Sequence, residues 1–418
     1  MISSAAIVAV GSELLGTDRV DTNSLFLTNV LERHGVTLVG KAVVGDDEDA
    51  IATEVGRRLG QVDVVLMTGG LGPTADDVTR QAVAAVTGRR LVHDDAIEAE
   101  LRERFATYLR RMPEVNLRQA EVIDGAEVLA NRRGTAPGMR LEHDGTTIYL
   151  FPGVPSELRA IAEDALEPWL AERADAALAV ERRTFKVAAR AESAIEERIA
   201  PIYKEFGRHD VSVLASPGRI LIHVTARGKA SERTARLDAI SKAIRQALGH
   251  RIFTEDPDAS IESVVGAQLA EAGLTIAIGE SCTGGLVTEM LTRVPGSSAY
   301  LIGGVVAYSN TVKTALLSVD DELVATHGAV SEPVARAMAR GVRRRLGADL
   351  GIGITGIAGP GGGSEDKPVG TVHLAVADAD GELHRTARFP GDRERIRLIS
   401  ARTVLEMTRQ RLLDGARD

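Results

Sequence analysis

Apolar runs and helical periods alternate along most of this chain. Ile7-Val8-Ala9-Val10, Val43-Val44 and Val62-Asp63-Val64-Val65-Leu66-Met67 read as strands. Between them, Asp21 to His34 places Leu25, Leu27, Val30 and Leu31 on a helix that stops at Gly35. A second helical period runs from Asp47 to Leu59. Strands that are apolar at consecutive positions are buried on both faces, so this first segment (1–175) predicts a parallel sheet covered by helices on each side. The pattern changes over 176–255, which reads strand (Thr184–Ala189), helix (Glu192–Phe206), two strands (Val211–Ala215, Arg219–Ala226), helix (Arg233–Leu248) and strand (Arg251–Thr254). That order is a small split βαβ-type module. After a linker at Glu255-Asp256-Pro257-Asp258, the segment 258–418 returns to alternation. It holds a helix face at Ile261, Val264, Val265 and Leu269 ended by Gly273, and strands at Leu274–Gly279, Gly303–Tyr308 and Leu350–Thr355. Helices are predicted at Leu286–Val294, Pro333–Leu346 and Arg395–Leu413, with a hairpin at Asp380-Gly381. The expected fold class is α/β: two three-layer domains with mainly parallel sheets, joined by a small α+β module.

Composition narrows this little. A chain of 418 residues exceeds the size of a single core, and 44% apolar with 26% charged residues is ordinary for a globular protein. No apolar run approaches the roughly 18 residues that span a bilayer, and the N-terminus runs from a strand directly into a glycine turn, unlike a signal peptide. One cysteine suits a reducing compartment, so a cytoplasmic location is expected. The nine histidines are scattered without zinc-ligand spacing. A net charge of −9 disfavours nucleic-acid binding by the chain as a whole, although 181–251 carries 15 Lys and Arg against 8 Asp and Glu.

Chemistry concentrates where strands turn into helices, at the edge of a sheet where α/β ligands bind. Gly279-Glu280-Ser281-Cys282-Thr283-Gly284-Gly285 is one such turn. The helix start after it offers N–H groups and a positive dipole end to a phosphate or an oxyanion. Ser281 is placed as a nucleophile but needs a base, and no Ser-His-Asp order is evident. Tyr308 and Lys313 follow another strand; a desolvated lysine serves as base and a phenol as proton relay. Thr355-Gly356 opens a third, glycine-rich loop. The residues alone also fit plainer roles: Ser281 and Thr283 as helix caps, Cys282 as the nucleophile or as a small buried hydrophobe, Lys313 as a solvated charge. Arg393 sits at a helix start, where a cation opposes the dipole, which favours a ligand role.

The strings ESCTGG (280–285), AYSNTVK (307–313), HGAVSEPVA (327–335), GITGIAGPGGGSEDKPVGTV (353–372) and FPGDR (389–393) together resemble the nicotinamide mononucleotide deamidase domain. The resemblance implies Ser281 as nucleophile, activated by Tyr308 and Lys313. It implies substrate contacts from Thr283, Gly284, Gly285, Thr355, Gly356 and Arg393, the last through phosphate, and no cofactor. The product would be the nicotinate mononucleotide, with ammonia.

At the other end, Thr68-Gly69-Gly70-Leu71-Gly72-Pro73-Thr74-Ala75-Asp76-Asp77 follows a buried strand and opens a helix. Its glycines permit close backbone approach, and Asp76 and Asp77 are hard oxygen ligands for Mg²⁺ or a similar ion, or simply favour the helix start. With Gly11-Ser12-Glu13, Asp21-Thr22-Asn23, 131–138 and PGVPSE (152–157), this resembles the molybdopterin-binding fold of the competence/damage-inducible CinA family. The resemblance extends over the whole chain, and the middle module is similar to that family's KH-type subdomain. It implies an ADP-ribose pyrophosphatase in which Gly69, Gly70, Gly72, Thr74 and Asn23 bind substrate. It further implies that Asp76, Asp77, Glu13 and Asp21 bind a divalent metal (Mg²⁺, Mn²⁺, Co²⁺ or Ni²⁺), with K⁺ as a further ion. Many relatives have an acid where this chain has Ser12, so that position offers no carboxylate. A KH domain clamps nucleic acid with a Gly-x-x-Gly loop, which the middle module lacks; spacing or homodimer formation suits it better. Two other readings stand beside a bifunctional nucleotide hydrolase. One is a non-catalytic pterin- or nucleotide-binding N-terminal domain, the other a nucleic-acid-associated factor acting through the basic module.

Overall fold

The computed structural model describes residues 1–17, 19–107 and 112–415. The chain divides into two compact units. One is Met1–Glu181 with Ala226–Arg236; the other is Arg182–Thr225 with Leu237–Asp418.

The first unit is built on a six-stranded sheet in the order Thr37–Val44, Ser4–Val10, Val64–Thr68, Thr146–Phe151, Gly138–His143, Glu127–Leu129. The first four are parallel neighbours and the last two run antiparallel. Successive residues of the inner strands face opposite ways. Ala6, Val8, Val10, Val65 and Met67 pack with Ile51, Val55, Ala82 and Val83 of two helices. Ala5, Ile7, Val64 and Leu66 pack on the other face with Leu27, Val30, Leu31 and Trp169. That is the covered sheet the uninterrupted apolar runs predict. The hairpin Gly138–His143/Thr146–Phe151 is an addition to the sequence reading. Its signal is Asp144-Gly145, both with positive φ (47° and 75°), which is the two-residue turn that joins antiparallel strands.

In the second unit a five-stranded sheet runs Leu301–Val306, Ile276–Glu280, Leu350–Gly356, Thr371–Ala377, Glu382–Arg388. The first three strands are parallel and the last two antiparallel, with the turn at Asp380-Gly381. Ile276, Ile278, Ile352 and Ile354 pack on one face against the last helix, Arg393–Gly415. Ala277 faces the other way, toward Leu317 and Met338. Helix Glu332–Leu346 lies directly on strand Leu350–Gly356 because Gly353 has no side chain; a Cβ there would meet the Ala335 carbonyl.

The middle module forms a four-stranded sheet, Val211–Ser216, Arg219–Arg227, Val180–Ala188, Ile252–Thr254, with helices Glu192–Phe206 and Ala230–Leu248. Most of it belongs to the second unit. Lys186 Nζ donates to the carbonyls of Pro257 and Ala259 in the linker, and Arg409 donates to the His250 carbonyl at 2.6 Å. Among the described residues no helix is long and apolar enough to cross a membrane.

Candidate functional site

Parallel neighbours end at the same sheet edge, so the turns after Glu280, Val306 and Gly356 are brought together. Ser281 follows the central strand, and its N–H donates to the Ile354 carbonyl at 3.0 Å. The side chain that the sequence reading passed over here is Glu280. Its carboxylate, fully buried, accepts from the N–H groups of Gly285 (3.0 Å), Val287 (3.2 Å) and Thr288 (2.9 Å) and from the Thr288 hydroxyl (2.8 Å). These are the open donors of helix Leu286–Thr292. The helix start is thus filled by the protein's own carboxylate, which corrects the expectation that it faces a phosphate or an oxyanion. The same contacts relieve Ser281 of any capping role and leave its hydroxyl for other work.

That hydroxyl meets Lys313. Past the strand, the lysine lies on helix Asn310–Leu317, whose first turn is capped by Ser309. Lys313 and Leu317, one turn apart, face inward. The lysine is 1% exposed and its Nζ sits 3.1 Å from Ser281 Oγ, 2.9 Å from the Ala307 carbonyl and 3.3 Å from the Tyr308 carbonyl. Burial lowers its pKa from the ordinary lysine value, because desolvation penalises the ammonium. Once deprotonated, the amine keeps two hydrogens for the two carbonyls and turns its lone pair to the Ser281 proton.

The Tyr308 phenol is elsewhere. It is 61% exposed and accepts from Arg393 Nη2 at 2.9 Å, while Arg393 Nη1 donates to the Gly359 carbonyl at 2.9 Å. Among the described residues it hydrogen-bonds to neither Ser281 nor Lys313. The geometry therefore puts Tyr308 and Arg393 together on the exposed side of the site, not in a relay between base and nucleophile. Thr355 is buried and its hydroxyl donates to the Ala329 carbonyl at 2.8 Å. Thr283 is also fully buried, yet among the described residues its hydroxyl has no hydrogen-bond partner. Gly284 and Gly285 turn the chain with φ of 60° and 94°. Cys282 points into the core, where burial pushes its thiol up to about 12, so it carries no thiolate near neutral pH and is set aside as nucleophile. Arg397, absent from the sequence reading, donates from Nε and Nη2 to the Thr283 carbonyl at 3.1 and 2.7 Å.

In the first unit the edge formed by the ends of Ser4–Val10, Val64–Thr68 and Thr146–Phe151 borders a cavity of about 330 Å³. Its lining includes Glu13, Asp21, Asn23, Thr68, Gly69 and Gly153. Asn23 Nδ2 ties this rim together, donating to Thr68 Oγ1 (2.9 Å) and to the Gly153 carbonyl (2.8 Å). The acids behave differently from expectation. Asp77 accepts from the N–H groups of Gly72 and Thr74 and from the Thr74 hydroxyl, stitching its own loop. Asp21 caps helix Thr22–Arg33 through the Ser24 N–H. Glu13 lies 3.8 Å from Arg19, and Asp76 is exposed. Gly69 and Gly70 have φ of 102° and 68°, and the Gly69 carbonyl accepts from buried Thr79. Among the described residues no three His, Cys, Asp or Glu side chains are grouped as a metal ion needs. The four acids do not fit a shared protein-built metal site, and internal hydrogen bonds are the reason for two of them. Ser12, where an acid was missing, pairs with Asp46 instead.

Known proteins bear on this arrangement. The model of the CinA C-terminal domain matches residues 258–412, that of the damage-inducible protein CinA KH domain 182–254, and that of a probable molybdopterin binding domain 6–172. A CinA-like protein of Koribacter versatilis is 44% identical over 414 residues, covering 98% of this chain and 100% of its own. The chain belongs to the CinA family. A second CinA relative, a putative competence-damage inducible protein of Moorella thermoacetica, is 42% identical over 96% of this chain and 97% of its own. Among solved CinA-type structures, the competence/damage inducible protein CihA of Agrobacterium tumefaciens shares 42% identity, covers 37% of this chain and 93% of its own, and has a TM-score of 0.36.

If the buried amine is the base, Ser281 should react with a serine-directed fluorophosphonate faster as pH rises, levelling off below the ordinary lysine range. Lys313→Met should abolish the labelling and Cys282→Ala should leave it unchanged, read by intact-protein mass spectrometry.

Proposed function

We propose that the C-terminal domain is an amidohydrolase that converts nicotinamide mononucleotide to the nicotinate form with release of ammonia. The observation that carries this is the buried Nζ of Lys313 at 3.1 Å from Ser281 Oγ, with no carboxylate among its hydrogen-bond partners in the described residues. In this reading the Ser281 proton passes to the neutral amine as Oγ bonds to the amide carbon. The resulting ammonium returns that proton to the amide nitrogen, the C–N bond breaks and ammonia leaves. Water then attacks the acyl ester, losing its proton to Lys313, and the acid leaves as Oγ regains its proton. Two further observations support a small phosphorylated amide. Arg393, exposed beside Tyr308, sets a guanidinium at the rim, a donor pair suited to a phosphate. The unpartnered Thr283 hydroxyl costs about 1–3 kcal/mol while buried and unpaired, a cost that a bound polar atom removes.

Ser281→Ala and Lys313→Ala should each lower ammonia release from nicotinamide mononucleotide by about 10³-fold or more, measured by a coupled assay. Wild-type rates in either variant would overturn the assignment.

For the N-terminal domain the 330 Å³ cavity favours a second reading, binding and hydrolysis of ADP-ribose. Because the acids are not grouped for a metal, no step is drawn through one; any divalent ion would have to be held largely by the substrate's phosphates. Asn23→Ala loosens the rim and should lower AMP formation from ADP-ribose with Mg²⁺ present by about tenfold, while Ser281→Ala leaves it unchanged. No AMP from the wild-type chain with any divalent ion would leave binding alone.

A further inference from the structure

We propose that Arg397 is a positioning residue that locks one peptide plane of the Ser281 turn. Its functional consequence rests on the amidase reading; its structural consequence does not. Arg397 lies one helical turn beyond Arg393 on the last helix. Its Nε and Nη2 both donate to the Thr283 carbonyl, at 3.1 and 2.7 Å. The opposite end of the same peptide unit is the Gly284 N–H, which donates to the Ser281 carbonyl at 3.1 Å. A peptide unit is rigid, so one plane links the guanidinium to the backbone of the nucleophile.

This plane joins two firmly anchored parts of the turn. It rotates about bonds of Thr283 and Gly284, and Gly284 and Gly285 both hold positive φ that glycine enters and leaves at little cost. Before it, Ser281 is fixed through its N–H to Ile354; after it, Glu280 grips the N–H groups of Gly285, Val287 and Thr288. Between these anchors the Thr283 carbonyl accepts from the Leu286 N–H at 3.3 Å, and Arg397 adds the two shorter, charge-assisted contacts that complete the hold. If the plane flips, the Gly284 N–H leaves the Ser281 carbonyl, and the 3.1 Å spacing to Lys313 loses a support. A two-point, charge-assisted grip on one oxygen restrains rotation where a single contact does not, and the point charge of lysine does not reproduce it.

The test uses the full chain with Arg397→Met and Arg397→Lys. Backbone hydrogen exchange over residues 282–286, followed by mass spectrometry, should quicken about tenfold or more in Arg397→Met and less in Arg397→Lys. The value of kcat for nicotinamide mononucleotide should fall about tenfold or more, with KM within about twofold. Unchanged exchange in both variants overturns the proposal, as does a raised KM with unchanged kcat, which would make Arg397 a substrate ligand. If Arg397→Met loosens the whole second unit, the exchange of Arg397→Lys decides between the same two outcomes. If the wild-type chain does not cut the amide, the amidase reading fails alone and exchange still decides.

Discussion

The second unit depends on a costly placement: a lysine amine sealed from water beside a serine hydroxyl. Among the described residues no carboxylate pairs with it, so burial disfavours the ammonium, and two backbone carbonyls take the hydrogens of the amine. The rest of the site follows from that constraint. Helix Asn310–Leu317 must face inward at Lys313, and the central strand must end at Ser281. The helix after the turn must find caps that do not use the serine. Buried Glu280 meets the last requirement, since its carboxylate collects four hydrogen bonds that would otherwise compete for the hydroxyl.

The two domains share an edge-of-sheet geometry and turn their buried or loop carboxylates to the same use, satisfying backbone N–H groups. In the C-terminal domain one buried acid organises a helix start, beside a serine hydroxyl in contact with a buried lysine amine. In the N-terminal domain Asp77 and Asp21 are also consumed by backbone N–H groups, in a loop and a helix cap. An acid in a glycine-rich turn is therefore a weak guide to metal chemistry, since the exposed N–H groups of the turn attract it first.

The inner strands and long helices were legible in the sequence because burial on both faces leaves uninterrupted apolar runs, as in Val64–Met67 and Ile276–Ile278. The Asp380-Gly381 hairpin was legible through its turn residues; the Asp144-Gly145 hairpin carried the same signal and was passed over. Ser281 and Lys313 were legible as a pair through their motif strings, but their contact was not, since 32 positions separate them and only the strand order joins them. The side on which Tyr308 stands was not legible, because its place in the string does not say which way the phenol points. Glu280 and Arg397 were invisible for a related reason: both act on backbone groups, and a backbone partner leaves no residue type to read.

The claim on which all this turns is that Lys313 gives up its proton more readily than an ordinary lysine while touching Ser281. A ¹⁵N NMR titration of lysine side-chain nitrogens, with Lys313 assigned by its loss in Lys313→Met, measures this directly. The account predicts a midpoint clearly below the ordinary lysine value, moving when Ser281 is replaced by alanine. A midpoint at or above that value, indifferent to Ser281, would contradict it.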